Sequence, residues 1–78
     1  MVTVRYFAGA AEAAGRASEQ VASGTTAGLR RELVTIHGQR LEAVLGRCSL
    51  LSAGRRLSDE DEVLPGATVD VLPPFAGG

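Results

Sequence analysis

The sequence predicts an α+β fold in which a mixed sheet of about five strands packs against one main helix. Segments 2–7 and 67–72 alternate between apolar and polar residues, as strands with one buried face do. Between them, an apolar stripe recurs at helical spacing, at Leu29, Leu33 and Ile36. A chain of 78 residues supports one domain with one modest core. One helix on one face of a sheet is the simplest way to build that core.

The first strand assigns one face of the sheet to the core. Its alternation places three apolar side chains on one side, and we expect that side to be buried: Val2, Val4 and Tyr6. Phe7 then falls on the opposite face with Thr3 and Arg5. A single exposed aromatic residue is ordinary, so its meaning depends on what lies beside it.

A short helix and an edge strand follow the first strand. Residues 8–14 are rich in alanine and precede Gly15, a pattern typical of a short helix with a glycine stop. Residues 18–21 predict an edge strand, where charge is tolerated. Residues 23–25 predict a turn.

The main helix begins at Thr25 or Thr26, either of which can cap its N-terminus. Gly38 predicts its end or a bend. A further helical turn or two precedes Gly46, because apolar residues again recur at helical spacing: Leu41, Val44 and Leu45.

The second half of the chain predicts three short strands. Residues 48–52 and 55–57 form a hairpin around a turn at 53–54. The acidic segment 58–62 predicts a solvated loop, and 64–66 predict a type II turn. In the last strand we expect alternate residues to point to the core (Val69, Val71) and away from it (Asp70, Leu72).

Composition and charge argue against several functional classes. The net charge is −1, from nine acidic residues and eight arginines, which favours neither nucleic acid nor an anionic membrane as a partner. No apolar segment approaches the ~20 residues of a membrane helix. We expect no secretory leader, because Arg5 and Glu12 interrupt the only early apolar segment. We therefore expect a cytoplasmic protein. The absence of lysine leaves no side-chain amine for isopeptide attachment.

The sequence contains no recognisable catalytic or metal-binding set of side chains. There is no Ser/His/Asp set, paired-acid site, phosphate-binding loop or zinc pattern. His37 has no cysteine or carboxylate at ligand spacing, so we interpret it as a polar residue at a helix end. Cys48 cannot form an internal disulfide, and we interpret it as a small buried hydrophobic residue rather than a reactive thiol. We expect no metal and no resident cofactor.

The final segment, 73–78, predicts an extended tail after a domain that spans 1–72. Two prolines open it, and each lacks an N–H and has a fixed φ, so the sheet should stop there. At about 3.1 Å per residue, the six residues of this segment reach roughly 19 Å in the extended polyproline conformation.

The two glycines that end the sequence indicate acyl chemistry. Gly77 and Gly78 have no Cβ, so they fit a channel too narrow for other residues. A free carboxylate at Gly78 is a poor acyl donor. The usual remedy is activation with ATP as an acyl-adenylate, which requires a partner enzyme.

Four motifs together resemble the MoaD family, the small sulfur-carrier subunits of molybdopterin synthase, over the whole chain. The most specific is Pro-Pro-x-x-Gly-Gly directly after the last strand, since the related thiamine carriers (ThiS) generally lack the double proline. The motifs are Tyr6-Phe7-Ala8, Ala13-Ala14-Gly15, Thr25-x-x-x-Leu29-x-x-x-Leu33 and Leu72-Pro73-Pro74-Phe75-Ala76-Gly77-Gly78.

The resemblance implies a ubiquitin-like β-grasp fold and a reaction cycle. An E1-like, MoeB-like adenylyltransferase would form a transient acyl-AMP at Gly78, and a sulfur donor would convert it to a thiocarboxylate. The carrier would then dock on the large, MoaE-like subunit of molybdopterin synthase, which supplies the catalytic side chains. Sulfur would pass to a cyclic pyranopterin precursor. On its own, the chain is expected not to be an enzyme.

The resemblance also implies an interface. In the β-grasp fold the first and last strands are parallel neighbours at the sheet centre, so Phe7 and Leu72 would share the outward face near Phe75. We expect this apolar patch to be a docking surface. The partner's channel would hold the residues that precede Gly78: Pro73, Pro74, Phe75, Ala76 and Gly77.

Three alternatives remain. The sulfur recipient could belong to thiamine, cysteine or tRNA thiolation. The chain could instead be a ubiquitin-like modifier whose Gly78 is joined to lysines of other proteins. It could also be a β-grasp binding module with an inert tail.

Overall fold

The computed structural model describes residues 1–74. These residues form, in order, β1 (Val2–Tyr6), α1 (Gly9–Ala14), β2 (Ser18–Val21), β3 (Gly24–Thr25), α2 (Thr26–His37), α3 (Gln39–Leu45), β4 (Ser49–Ser52), β5 (Arg55–Arg56), β6 (Glu62–Val63) and β7 (Thr68–Leu72).

Five of the strands form a mixed sheet in the order β2-β1-β7-β4-β5. The central pair, β1 and β7, is parallel, and the other pairs are antiparallel. The predicted α+β fold with a five-stranded mixed sheet is therefore confirmed, as is the edge position of β2. The parallel pair places the first and last strands side by side.

The register of the central pair decides which face is buried. Val4 lies opposite Val69, and Tyr6 lies opposite Val71. These four side chains are at most 4% exposed, so the predicted core face is confirmed. The helices cover this face, and the core includes Leu29 and Leu33 of α2 together with Leu41 and Leu45 of α3.

Glycine ends two of the helices, as predicted. Gly15 takes the left-handed conformation after α1, with φ 73°, and its N–H donates to the Ala11 carbonyl. Gly38, with φ 76°, separates α2 from α3. Because a side chain is strained at positive φ, glycine is the residue that suits both positions.

The prediction that Ile36 belongs to the buried stripe is wrong. Its side chain is 49% exposed, whereas Leu29 and Leu33 are buried. Ile36 lies in the last turn of α2, where His37 rather than Ile36 reaches the sheet and contacts Tyr6.

Two segments predicted as irregular are partly strands. Gly24–Thr25 was expected to be a turn and Glu62 to lie in a solvated loop, but β3 and β6 pair antiparallel. The acidic segment also caps α2, because its backbone carbonyls accept from the first N–H groups of the helix. Thr26 donates to the Asp61 carbonyl at 2.9 Å, and Ala27 donates to that of Asp59 at 3.0 Å. These bonds tie the segment to the fold.

Candidate functional site

The last strand ends where two prolines begin. β7 stops at Leu72, as predicted from the missing N–H groups of Pro73 and Pro74. Pro73 is half-buried and Pro74 is exposed. The predictions for Phe75, Ala76, Gly77 and Gly78 lie outside the described residues.

Phe7 and Leu72 lie side by side on the face of the sheet away from the helices. The Phe7 N–H donates to the Val71 carbonyl at 3.3 Å, so the chain continues along β7 beyond the end of β1. Phe7 is 37% exposed, and Leu72 is half-buried. The structure thus places these two predicted interface residues together, next to the point where the chain leaves the sheet.

Leu51 is a third member of this surface that the sequence did not indicate. It lies opposite Asp70, on the outward face, and its neighbour Leu50 points into the core. Two adjacent leucines on a short strand do not reveal which one faces inward. Only the register against β7 decides it. We call Phe7, Leu51 and Leu72 the apolar patch.

An ion pair borders the apolar patch. Arg5 donates from Nε to Asp70 Oδ1 at 2.7 Å and from an Nη to Oδ2 at 2.9 Å. The hydrogen bonds and the negative charge of Asp70 raise the pKa of Arg5 above its ordinary value. The guanidinium carbon lies 5.7 Å from the centre of the Phe7 ring, within the range of a cation–π contact.

A buried polar cluster lies on the opposite face, at the same end of β1. The Tyr6 hydroxyl donates to Glu19 Oε2 at 2.5 Å, and His37 Nε2 contacts the same oxygen. The Glu19 and His37 side chains are 7% and 11% exposed. The sequence showed no carboxylate at ligand spacing from His37, but in the fold His37 does have a carboxylate partner. β2 brings Glu19 beneath the end of α2.

The cluster is held together by charge and hydrogen bonding. Burial favours the neutral form of Glu19, but the hydrogen bonds from His37 and Tyr6 and the nearby positive charges outweigh it and lower its pKa. Burial and the bond to Glu19 raise the pKa of Tyr6 well above its ordinary value. We interpret the cluster as a structural tie between α2 and the sheet edge.

Cys48 lies in the core. It is 5% exposed, and its thiol donates to the Val44 carbonyl at 3.3 Å. Burial raises the pKa of the thiol, which lowers the fraction of nucleophilic thiolate at neutral pH. The interpretation as a small buried residue is confirmed.

The described part of the chain contains neither a candidate metal site nor a membrane-spanning helix. Within residues 1–74, no group of three or more His, Cys, Asp and Glu side chains could hold a metal ion. No helix in this range is long and apolar enough to cross a membrane.

Comparison by sequence alone was uninformative, since no family model and no curated protein matches the chain significantly. Solved structures match over nearly the whole length. SAMP1 from Haloferax volcanii is 25% identical, with 99% of this chain and 98% of that chain covered and a TM-score of 0.84. A protein from Pyrococcus furiosus described as molybdopterin converting factor subunit 1 is 28% identical, with coverages of 95% and 97% and a TM-score of 0.80.

In sequence and fold the chain resembles the MoaD/ThiS-like ubiquitin-like proteins, as the matches to SAMP1 and to molybdopterin converting factor subunit 1 indicate. Its fold is the β-grasp fold that the resemblance implied. The complex of molybdopterin-converting factor subunits 1 and 2 from Helicobacter pylori matches at 22% identity, with coverages of 99% and 97% and a TM-score of 0.73, and adds support for the fold alone. The matching structures thus include both a small archaeal modifier protein and a molybdopterin converting factor subunit.

Proposed function

We propose that this chain is a sulfur carrier for molybdopterin synthesis, with Gly78 as its reactive carboxyl terminus. The observation that carries the proposal is the apolar patch of Phe7, Leu51 and Leu72, which lies where β7 ends and the Pro73–Pro74 segment begins. A partner that binds this patch would have the C-terminal segment, which begins at Pro73, next to its own surface. The similarity to molybdopterin converting factor subunit 1 supports the same function.

The proposed chemistry takes place at the terminal carboxylate. The Gly78 carboxylate attacks the α-phosphate of ATP, and pyrophosphate leaves as the acyl-adenylate forms. Hydrosulfide from the sulfur donor then attacks the acyl carbon, AMP leaves, and the thiocarboxylate results; if the donor is a persulfide, the product is an acyl disulfide, and a second thiol attacks the donor's sulfur, so that the thiocarboxylate leaves and a disulfide forms on the donor. The adenylating partner would be E1-like. The glycine pair, which lacks Cβ atoms, suits a narrow channel to its ATP site.

The proposed acceptor is a cyclic pyranopterin bound to a large, MoaE-like subunit. The Helicobacter neighbour is a complex of subunits 1 and 2, which supports a two-subunit assembly. In this assembly the chain supplies the sulfur-bearing terminus and the large subunit supplies the catalytic side chains, so the chain alone is not an enzyme. We place the reaction in the cytoplasm.

The decisive experiment is intact mass spectrometry of the chain after incubation with an E1-like adenylyltransferase, ATP and a sulfur donor. Exchange of one oxygen for sulfur should add about 16 Da, as expected for the activated-acyl route. Addition of the large subunit and cyclic pyranopterin should reverse the gain and yield molybdopterin. A variant without Gly77 and Gly78 is the control. A wild-type chain that gains no mass would contradict the proposal.

A ubiquitin-like modifier is the second candidate, and the similarity to SAMP1 favours it. In that case Gly78 would form amide bonds with lysines of other proteins. Tagged chain expressed in cells would then appear in higher-mass covalent adducts that disappear when Gly77 and Gly78 are deleted. Formation of a thiocarboxylate without covalent adducts would favour the sulfur-carrier function over the modifier function. Reconstitution with the acceptors of thiamine, cysteine and tRNA thiolation would then show which pathway receives the sulfur.

A further inference from the structure

A cleft of about 310 Å³ lies beside Pro73 and Pro74, the first two residues of the tail. The cleft is separate from the apolar patch, because none of the patch residues lines it. It runs between the start of α1 and the end of α3. Its lining is apolar except for one guanidinium: Ala8, Gly9, Val44, Arg47, Pro73 and Pro74. Pro73 and Pro74 thus have a cleft beside them as well as the patch nearby.

Arg47 is the polar group of this cleft. Its side chain is exposed, and none of the ion pairs within residues 1–74 includes it. Arg47 shares this with Arg31, Arg40 and Arg56, whereas Arg5, Arg16, Arg30 and Arg55 are paired within residues 1–74; of the four without an ion pair, Arg47 is the one that lines this cleft. An exposed guanidinium at the edge of an apolar cleft is suited to a carboxylate, which it can bind through two parallel hydrogen bonds.

Ala8, which also lines the cleft, has a strained backbone. Ala8 has φ 49° and ψ −127°, in a region that residues with a Cβ rarely occupy. Its carbonyl accepts from the N–H groups of Ala11 at 3.0 Å and Glu12 at 3.2 Å, which fixes the turn into α1. Strain of this kind persists where the surrounding structure enforces it, and it is concentrated at binding and active sites.

Resting on the proposed function, we propose that this cleft is a second part of the docking surface and that Arg47 pairs with a carboxylate of the adenylating partner, at the mouth of the channel that takes in the tail. The partner group is not the reacting phosphate. Gly78 is the fourth residue after Pro74, and four residues in an extended conformation would span roughly 12 Å. The adenylating partner would therefore hold the chain on both sides of Pro73, through apolar contacts with the apolar patch and through an ion pair with Arg47 at the cleft.

The charge is tested by Arg47→Glu against Arg40→Glu. Arg40 is also exposed and lies on α3, but it does not line the cleft. Because both substitutions replace arginine by glutamate, the two variants have the same net charge. We expect Arg47→Glu to weaken binding to the adenylyltransferase roughly fivefold or more at low salt and less than about twofold at 0.5 M salt. Titration calorimetry at the two salt concentrations measures this. Equal effects of the two variants would overturn the proposal.

The space is tested at Gly9, where an added Cβ meets no atom within 4 Å. Gly9→Leu should fill the cleft and weaken binding about fivefold, whereas Gly9→Ala should change it by less than about twofold. The midpoint temperature of thermal unfolding of both variants should be at or above that of the wild type, because leucine and alanine are better helix formers than glycine. Unchanged binding of Gly9→Leu would overturn the proposal.

The wild-type chain separates failure of this proposal from failure of the proposed function. If the wild-type chain gains about 16 Da at Gly78 but Arg47→Glu binds the adenylyltransferase as Arg40→Glu does, the docking role of the cleft is rejected and the proposed carrier function stands. Absence of binding between the wild-type chain and the adenylyltransferase overturns both.

Discussion

Arg5 on β1 donates two hydrogen bonds to Asp70 on β7, of 2.7 and 2.9 Å, across the parallel strands at the centre of the sheet. The same guanidinium lies 5.7 Å from the centre of the Phe7 ring. Arg5 therefore connects the ion pair to the apolar patch. We interpret the pair as a positioning device for Phe7 rather than as a source of stability, since solvent screens an exposed pair.

Asp70→Asn should weaken binding to the large synthase subunit two- to fivefold, because Arg5 loses the charged partner that holds it over Phe7. Thermal unfolding should change little. Asp59→Asn, which removes an exposed carboxylate paired with Arg30, is the control, and calorimetric titration is the measurement. Full affinity of Asp70→Asn for the large subunit would contradict the positioning role.

Phe7→Ala and Leu51→Ala should each weaken binding to the large subunit about tenfold, as loss of an apolar anchor at an interface centre does. Both variants should remain folded, because Phe7 is 37% exposed and Leu51 is half-buried on the outward face. Ile36→Ala is the matched control: this side chain is 49% exposed but lies on α2. If all three variants bind alike, the apolar patch is not the interface.

Glu19→Gln should destabilise the fold by about 1–2 kcal/mol at pH 7, since charge-assisted bonds from Tyr6 and His37 become weaker neutral ones. The pKa of Glu19 is lowered in the folded state. Its contribution to stability is therefore present above the unfolded-state pKa of about 4.3 and is lost as pH falls through the folded-state pKa.

Urea unfolding between pH 3 and pH 7 measures this contribution. The difference in unfolding free energy between wild type and Glu19→Gln should shrink toward pH 3. Glu60→Gln, in the exposed segment before β6, should follow the wild type throughout. A difference that does not vary with pH would show that the carboxylate charge has no role.

Thr26→Val should destabilise the fold by about 1 kcal/mol, because it removes the hydroxyl that donates to the Asp61 carbonyl at 2.9 Å in a fully buried position. Thr35→Val removes an exposed hydroxyl that bonds within α2 at 2.9 Å and should cost much less. Denaturant unfolding compares the two. Equal costs would mean that the bond to the acidic segment contributes nothing specific.

Much of the scaffold was predictable because its signals are local. Alternation assigned Val4, Val69 and Val71 to the core face, and the structure buries all three completely. The stops at Gly15 and Gly38 follow from the backbone freedom of glycine. Thr25 was one of two expected caps, and its hydroxyl accepts from the Gly28 N–H at 3.1 Å.

The remaining features depend on pairs that are distant in sequence. The two-residue strands β3 and β6 are too short for a periodic pattern, and each is defined by the other. Glu19 and His37 are 18 residues apart, so no spacing rule connects them. Leu51 is assigned to the outward face only by its register against Asp70.

By itself, the sequence determined the mixed sheet, the main helix, the position of most core residues and the end of the last strand at Pro73. These depend on the chemistry of single residues and on periods of a few residues. The tertiary structure decided that Phe7, Leu51 and Leu72 form one surface, that His37 meets a carboxylate, and that Arg47 lies beside the start of the tail. Those relationships arise from strand register and helix packing, which bring together residues that no local pattern links.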